Sequence, residues 1–478
     1  MSNAPESRPF RTAVVIGASI AGSSTAAALA PYFDSVVVID RDRLPDTPAK
    51  RRGVPHSGQF HTLTAGGRLN MEELFPGLTA DLREAGVPYV DYDRIRYSSK
   101  FGWFPPGVTE MKLLMVTRRY LEWYLRDRAG KIENITFKER TPARGLVFEE
   151  KKAVAVQVED LETAKPYEIR ADLIVDASGR PSITPEWLDS SGFDKPEETV
   201  VDAHWGYATT FVRVPEDWDP GWTSLYVGPT IKGDGARATR GAAMWRQEDN
   251  MMVVTAQGCA GDLPPSEEDD FMDYISSFGN SEFKDLIEKY GRATKVEAWQ
   301  NTHNRLRHYS DLANRPENLV VLGDAAAAFN PIYGQGMTVA VRGALTLRDA
   351  LDSHVSRASQ EGADPLDLDG FAKEFQDDLQ RVVDPCWAFS TTSDFNVPGV
   401  AVNGEEMGVK DSPESDYTDR VIALATEDAE VRKKFLETMN LVRSTDWLGE
   451  ESLRERVLAD WDRLGALGNT DDPVVQNV

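Results

Sequence analysis

Two glycine-bearing segments hold the residues best suited to chemistry. In the first, VVIGASIAGSSTAAALA, Gly17 ends an apolar run over Thr12–Ile16, and Gly22 enters an alanine-rich helix. Ser19 stands where a dinucleotide fingerprint usually has its middle glycine, with Ile20 and Ala21 completing the turn. Gly17 permits the tight turn and Gly22 the close approach of helix to strand. The free N–H groups of the first helical turn can hold a pyrophosphate. Ser19 must either push the phosphates slightly or donate its own hydroxyl. A second apolar run, Val36–Ile39, delivers Asp40, whose carboxylate can accept both hydroxyls of an adenosine ribose. Arg41 and Arg52 join this cofactor-binding set.

The second segment, VVLGDAAAAFNPIYGQGM, ends an apolar strand at Gly323 and Asp324. Asp324 can accept from ribityl hydroxyls or from the ribose side of a pyrophosphate. Pro331, Gly334 and Gly336 bring bare backbone beside a flat ring, where side chains would clash. Met337 opens a clean helix over 337–350, and the N–H groups and dipole at its start can stabilise negative charge on the ring edge. Arg118 begins RRYLEWYLRDRA, with Leu121 and Leu125 on one side, and is placed to pair with phosphate. A nicotinamide dehydrogenase has no need of the second arm. The pair points to FAD, held at both ends.

The elements that position these residues follow from the pattern. Residues 11–50 read as strand, helix, strand, and the strand Leu173–Val175 leads into VDASGRPS. Short alternating runs (205–214, 223–227, 240–245, 251–257) read as an antiparallel sheet with one apolar wall. SEEDDFMDYISSF reads as a helix with Ser266 as its cap. Helical patterns follow over 371–383, 415–426, 429–440 and 450–460, and GALGNTDDPVVQNV reads as a loose end. The expected fold is α/β: a Rossmann-like FAD-binding domain with an inserted antiparallel β-sheet substrate domain and C-terminal helices. The expected boundaries are 11–195 and 313–365 for the FAD domain, 196–312 for the sheet domain, and 366–464 for the helical region.

Composition narrows the classes. The chain has 478 residues and a formal charge of −25, which argues against nucleic acid or anionic membrane as a partner. Two cysteines, Cys259 and Cys386, make neither a disulfide framework nor a metal cluster, so a reducing cytoplasm is expected. MSNAPESRPF is a polar lead-in without an apolar signal, and 14–30 is too glycine-broken to span a bilayer. His56 and His61 lack a third ligand nearby, which favours packing or flavin contact over metal. Trp205, Tyr226, Trp245, Trp222 and Met252 suit an apolar ligand, with His204 beside Trp205 and His61 as further members of the substrate wall. There is no GxSxG elbow, HExxH or GxxxxGKS, and no residue stands out as a general base. Chemistry carried by the cofactor fits that pattern.

With these motifs the chain resembles the FAD-dependent aromatic-hydroxylase-like superfamily, the p-hydroxybenzoate hydroxylase fold, over about 11–460. Within it the chain is similar to the bacterial branch that tailors polyketides, including epoxidases. The marks are RRGVPHSGQFH at 51–61, RRYLEWYLR at 118–126, VDASGRPS at 175–182, RHYS at 307–310 and GDAAAAFNPIYGQGM at 323–337. The resemblance implies Gly17, Gly22 and Asp40 at the adenosine end, Arg118 and Asp324 at the middle, and Pro331, Gly334 and Gly336 at the ring. It also implies NADPH or NADH as reductant without a separate nucleotide domain, and oxygenation of a large apolar polyketide-type small molecule. The loop usually reads VPQGRHxH, whereas VPHSGQFH removes its arginine and shifts its histidines, taking charge from the ring edge. VDASG stands where an aspartate-glycine is frequent. The tryptophan-rich signature and active lysine of flavin halogenases are not evident. The second expectation is therefore a relative that keeps FAD as a scaffold and folds a polyene for a [4+2] cycloaddition such as dialkyldecalin formation. That chemistry needs a shaped pocket rather than electron transfer. A non-catalytic flavin-binding protein is the third.

Overall fold

The computed structural model describes residues 8–231, 236–300, 302–408 and 413–467. Most of the polar lead-in and of the C-terminal loose end therefore lies outside the described residues. The apolar runs VVI, VVVI, LIVD and LVV build one sheet in the order Leu319–Val321, Leu173–Asp176, Phe10–Ile16, Phe33–Ile39, Ile135–Lys138. Every ladder in it is parallel. Continuous apolar runs are what such a sheet requires, because both faces are covered. Phe10–Ile16 is the central strand, and the chain leaves it first toward Phe33–Ile39 and later toward Leu173–Asp176. The strand order reverses there, which opens a crevice at the carboxyl ends of the strands. The helices Ile20–Leu29 and Gly336–Glu361 pack against each other over it.

The second sheet has seven strands, in the order Glu297–Trp299, Gly206–Arg213, Met251–Gly258, Arg240–Arg246, Ser224–Val227, Ile95–Ser99, Gly102–Trp103. It is not confined to 196–312. Ile95–Ser99 joins its edge in parallel with Ser224–Val227, although the expected boundary left it in the FAD domain. Period-2 alternation gives the sheet two apolar faces, not one. Val212, Met244, Met252 and Val254 pack under the helices Glu268–Ser276 and Glu282–Tyr290 through Phe271, Ile275 and Phe283. Phe211, Trp245 and Val253 face the other way, toward Val421, Leu424 and Phe435.

The last contact is with the C-terminal helices. Pro413–Glu427 and Ala429–Met439 pair and close over the sheet's second face. Phe371–Asp394 runs along Gly336–Glu361 instead. A small sheet of Ala327–Ala328, Asn304–Arg307, Glu198–Asp202, Ala401–Val402 and Glu405–Glu406 ties the returning chain, the sheet domain and the C-terminal region together. Ser266 does not cap the acidic helix, which begins at Glu268 with Glu267 at the cap position. No helix of the described residues is long and apolar enough to cross a membrane.

Candidate functional site

A cavity of about 570 Å³ lies at the carboxyl ends of the parallel strands. Gly17, Ser19, Ile20, Ala21, Asp40, Arg41, Arg52 and Arg118 line one part of it. Asp324, Pro331, Gly334, Gly336 and Met337 line another, so the two glycine segments face one space. They also touch, since a Cβ on Gly323 would lie 3.0 Å from that of Ala21. Gly22 stands behind the wall. A Cβ there would sit 1.7 Å from the carbonyl oxygen of Gly17, so only glycine lets the helix start against the turn.

Ser19 does not face the phosphate position with its hydroxyl. Its Oγ donates to Glu122 Oε2 at 2.7 Å and accepts from Arg118 Nη2 at 3.1 Å. Glu122 also accepts from Arg51 Nε at 2.7 Å. Burial works against this carboxylate, but Arg51 and Arg118 outweigh it and hold its pKa below the usual range. Asp40 differs from its expected role. It accepts from the N–H groups of Ala18 and Asp42 at 2.8 and 2.9 Å and from Arg51 Nη1 at 3.2 and 3.1 Å. With its lone pairs taken in this way, it braces the turn rather than offering both oxygens to a ribose. Arg51 and Glu122 were missed by sequence reasoning, which chose the exposed Arg52. The signal was present as the arginine–glutamate pair one helical turn apart at 118 and 122.

The wall fits a bulky polyanion. Arg118 Nε, Arg180 Nη1 and Arg305 Nε are buried N–H donors without an acceptor among the described residues. Burial lowers the pKa of all three guanidiniums, and the surrounding carboxylates only partly restore it. Both helix starts at the cavity, after Ser19 and Gln335, lack a side-chain cap. Uncapped N–H groups beside orphaned guanidiniums are what a pyrophosphate satisfies. The residues therefore fit FAD at its phosphate, and the bare backbone of Gly334 and Gly336 fits its ring.

Pro55–Gly58 forms a short 3₁₀ turn, and the segment from it to His61 places both histidines on this cavity. Their rings lie 5.6 Å apart, with His56 5.7 Å from Trp299. His61 Nδ1 meets the carbonyl oxygen of Gln59 at 2.9 Å, so Nδ1 carries the proton and Nε2 is left as an acceptor. Burial first, and Arg118 second, hold both rings neutral, with pKa values brought down to about 2 for His56 and about 3 for His61. His61 thus belongs to the cofactor cavity and not to the substrate wall. The turn stacks it beside His56, whose ring lies next to Trp299.

A second cavity, of about 270 Å³, meets the first at Phe60, Thr62 and Gly334. Its walls are aromatic. Tyr97 stacks between Phe104 and Tyr226, with centroids 5.4 and 4.7 Å away, and Phe60 lies 5.4 Å from Trp245. Trp205, Tyr226 and Trp245 line it. His204 does not. It takes a left-handed φ of +52° in the link between two sheets, and that turn sends its side chain outward, 48% exposed, toward Asp202. Met252 packs on the sheet's other face, because its register is opposite to that of Trp245, and Trp222, which precedes the strand Ser224–Val227, packs there too.

Between the cavities lies Asp394, fully buried. It accepts from Trp205 Nε1 (3.1 Å), Asn304 Nδ2 (2.6 Å), Asn330 Nδ2 (3.2 Å) and the Tyr333 hydroxyl (2.8 Å). Burial pushes its carboxyl up to about 6 against the pull of those donors. The hub fixes the Asn330–Gly334 bend relative to Trp205 in the wall of the second cavity.

Known proteins match this arrangement along most of the chain. Protein Rv3254 of Mycobacterium tuberculosis is 29% identical over 447 residues, covering 91% of this chain and 90% of its own. The myxobacterial chondrochloren halogenase CndH superposes with a TM-score of 0.60 at 16% identity, over 92% of this chain and 99% of its own. The Diels-Alderase PyrE3 of pyrroindomycin biosynthesis gives 0.54 at 16%, over 90% and 80%. At such identities the structural likenesses establish the shared fold. A family profile described as an FAD binding domain spans residues 11–370, which takes in both glycine segments and the sheet between them. This chain therefore belongs to the FAD binding domain family, and the cavity that joins the two segments is its candidate cofactor site.

Proposed function

We propose that the chain is an FAD-dependent monooxygenase, a hydroxylase or epoxidase, acting on an apolar natural-product-type small molecule of polyketide character. The observation that carries this is the aromatic cavity opening beside Gly334, which borders both cavities and which this reading sets beside the ring of the cofactor. Its volume of about 270 Å³ is near the lower end for small-molecule sites, so it suits a compact ring system or one segment of a longer chain. FAD, reduced by NADPH or NADH, supplies the electron transfer and oxygen chemistry when bound.

The chain's own residues do the rest. The turn at Gly17 and the Arg118 guanidinium hold the pyrophosphate. The start of Gly336–Glu361 offers N–H groups and the positive end of its dipole to negative charge on the ring edge. Trp205, Tyr226 and Trp245 exclude water and orient the substrate against the ring. Two free, buried cysteines support a cytoplasmic setting.

The FAD-scaffold cyclase remains a second reading, favoured by the loop 51–62. Past Arg51 and Arg52 its histidines are neutral and its usual arginine is absent, so residues 53–62 offer the ring edge no cation. One experiment tests both. A monooxygenase bleaches its flavin with NADPH or NADH when substrate is present, consumes oxygen and adds 16 mass units, as oxygen insertion requires (about one oxygen atom per turnover). A cyclase converts substrate without oxygen, with the flavin oxidised throughout and no change in mass. Purified protein that takes up no FAD would overturn both.

A further inference from the structure

We propose that His61 Nε2 accepts a hydrogen bond from an N–H of the flavin ring. The inference rests on the cofactor cavity alone, so it holds for an oxygenase and for a cyclase. His61 lines that cavity and does not line the aromatic one, whereas its chain neighbours Phe60 and Thr62 border both. It stands on the cofactor side of the junction. Gly334 borders the same junction, and a Cβ built on it would lie 3.9 Å from that of Thr62. The segment 60–62 thus abuts the Asn330–Gly334 bend, whose bare backbone suits the flavin ring.

The state of the imidazole narrows its partner. A carbonyl oxygen only accepts, so the 2.9 Å contact with Gln59 takes the proton of Nδ1. Burial and Arg118 keep a second proton off the ring, which leaves a lone pair at Nε2. No donor meets that lone pair among the described residues. The rest of the wall offers the opposite chemistry, with the N–H groups of Arg118, Arg180 and Arg305 and of two uncapped helix starts. Those suit the pyrophosphate and the ring carbonyls. A lone pair needs a donor, and a pyrophosphate has none to give. The ribityl hydroxyls have Asp324 as an acceptor on the same wall. The ring itself carries an imide N–H in either redox state and gains a central-ring N–H on reduction. Either suits one neutral acceptor, and a desolvated N–H left without one is costly.

The test compares the full chain with His61→Gln and His61→Asn. Glutamine carries a carbonyl oxygen to the reach of Nε2. Asparagine keeps an N–H for the Gln59 carbonyl at the reach of Nδ1 and offers nothing at Nε2. A role confined to bracing the loop through Gln59 would spare His61→Asn and impair His61→Gln. Acceptance by Nε2 predicts the reverse, and two measurements locate the N–H. If it is the imide N–H, wild type and His61→Gln prefer FAD over FAD methylated at the imide nitrogen, and His61→Asn loses about tenfold of that preference. If it is the N–H gained on reduction, oxidised FAD binds all three proteins alike. The midpoint potential of His61→Asn then falls by about 30 mV, which is tenfold in affinity for reduced flavin in a two-electron couple. His61→Leu is read instead should His61→Asn lose the circular dichroism of the wild-type apoprotein. A variant without the acceptor that matches wild type in both measurements overturns the proposal, as does His61→Gln behaving like His61→Asn. Wild type that takes up no FAD is a separate failure, that of the cofactor site itself.

Discussion

Ser19 shows how a fingerprint survives the loss of its middle glycine. The hydroxyl turns away from the phosphate position because Glu122 and Arg118 give it a charged acceptor and a charged donor. Glu122 in turn holds Arg51, whose other partners are Asp40 and Asp42. Glu122→Gln leaves a buried guanidinium with one fewer counter-charge, and the apoprotein should lose about 3 kcal/mol in urea unfolding. Gly22→Ala should abolish retention of FAD on purification, because the added methyl overlaps the Gly17 carbonyl and lifts the helix from the turn. Ala at an open helical site would have stabilised instead, so a coloured Gly22→Ala protein would show that the helix can shift at no cost. The histidine pair gives a pH dependence. Unfolded histidine titrates near 6.5, whereas His56 and His61 stay neutral down to about 2 and about 3. Their contribution is present above the unfolded value and is lost as pH falls, by about 2 kcal/mol for each between pH 6.5 and 5. Asp394 works in the opposite direction: its folded pKa is raised to about 6, so its contribution is present at low pH and is lost as pH rises through that value. Urea midpoints of apoprotein at pH 7 and 5, for wild type and His56→Asn/His61→Asn, separate the two. The variant should lose less on acidification.

At the scale of elements, what the sequence made legible is what local pattern controls. The parallel strands, both glycine turns and the Arg118 helix announce themselves by apolar runs and by residues fixed at turns. Ile95–Ser99 does not, because the alternation of Ile95 and Tyr97 with Arg96 and Ser98 is too short to stand out, and the segment is held as a strand by pairing with Ser224–Val227. The same limit hid the closure of the second cavity, since an amphipathic helix does not say which surface its apolar face will meet. Proline misled for a plainer reason. The pattern over 371–383 stops short of Pro385, yet the helix continues through it to Asp394. Burial of Cys386, Ser390, Thr391 and Asp394 on the far side offsets a proline penalty of about 3 kcal/mol. Pro385 is itself exposed, so Ala there restores a backbone N–H and costs no packing. Pro385→Ala should raise stability by about 1–3 kcal/mol with an unchanged flavin spectrum. A lower melting temperature would mean that the helix is bent at this position to bring Asp394 to its donors.

For the whole molecule, the charge of −25 and the arginine-lined cofactor cavity pull in opposite directions on an anionic ligand. The surplus of acids is spread over the surface and acts at long range, over about 30 Å at 10 mM salt but only about 8 Å at 150 mM. Arg118, Arg180 and Arg305 act at contact, inside a cavity where mobile ions screen little. Salt should therefore remove the repulsion that FAD meets on approach while leaving most of the attraction it meets on arrival. The association rate of FAD with apoprotein, followed by quenching of flavin fluorescence in a stopped-flow instrument, should rise several-fold from about 10 to 150 mM NaCl. The dissociation rate should change by less than about twofold, because contacts within the cavity set it. The opposite outcome, an association rate that falls with salt, would mean that the cavity arginines project a field beyond its mouth strong enough to overcome the acidic surface. The arginines would then guide FAD in from solution as well as hold it once bound.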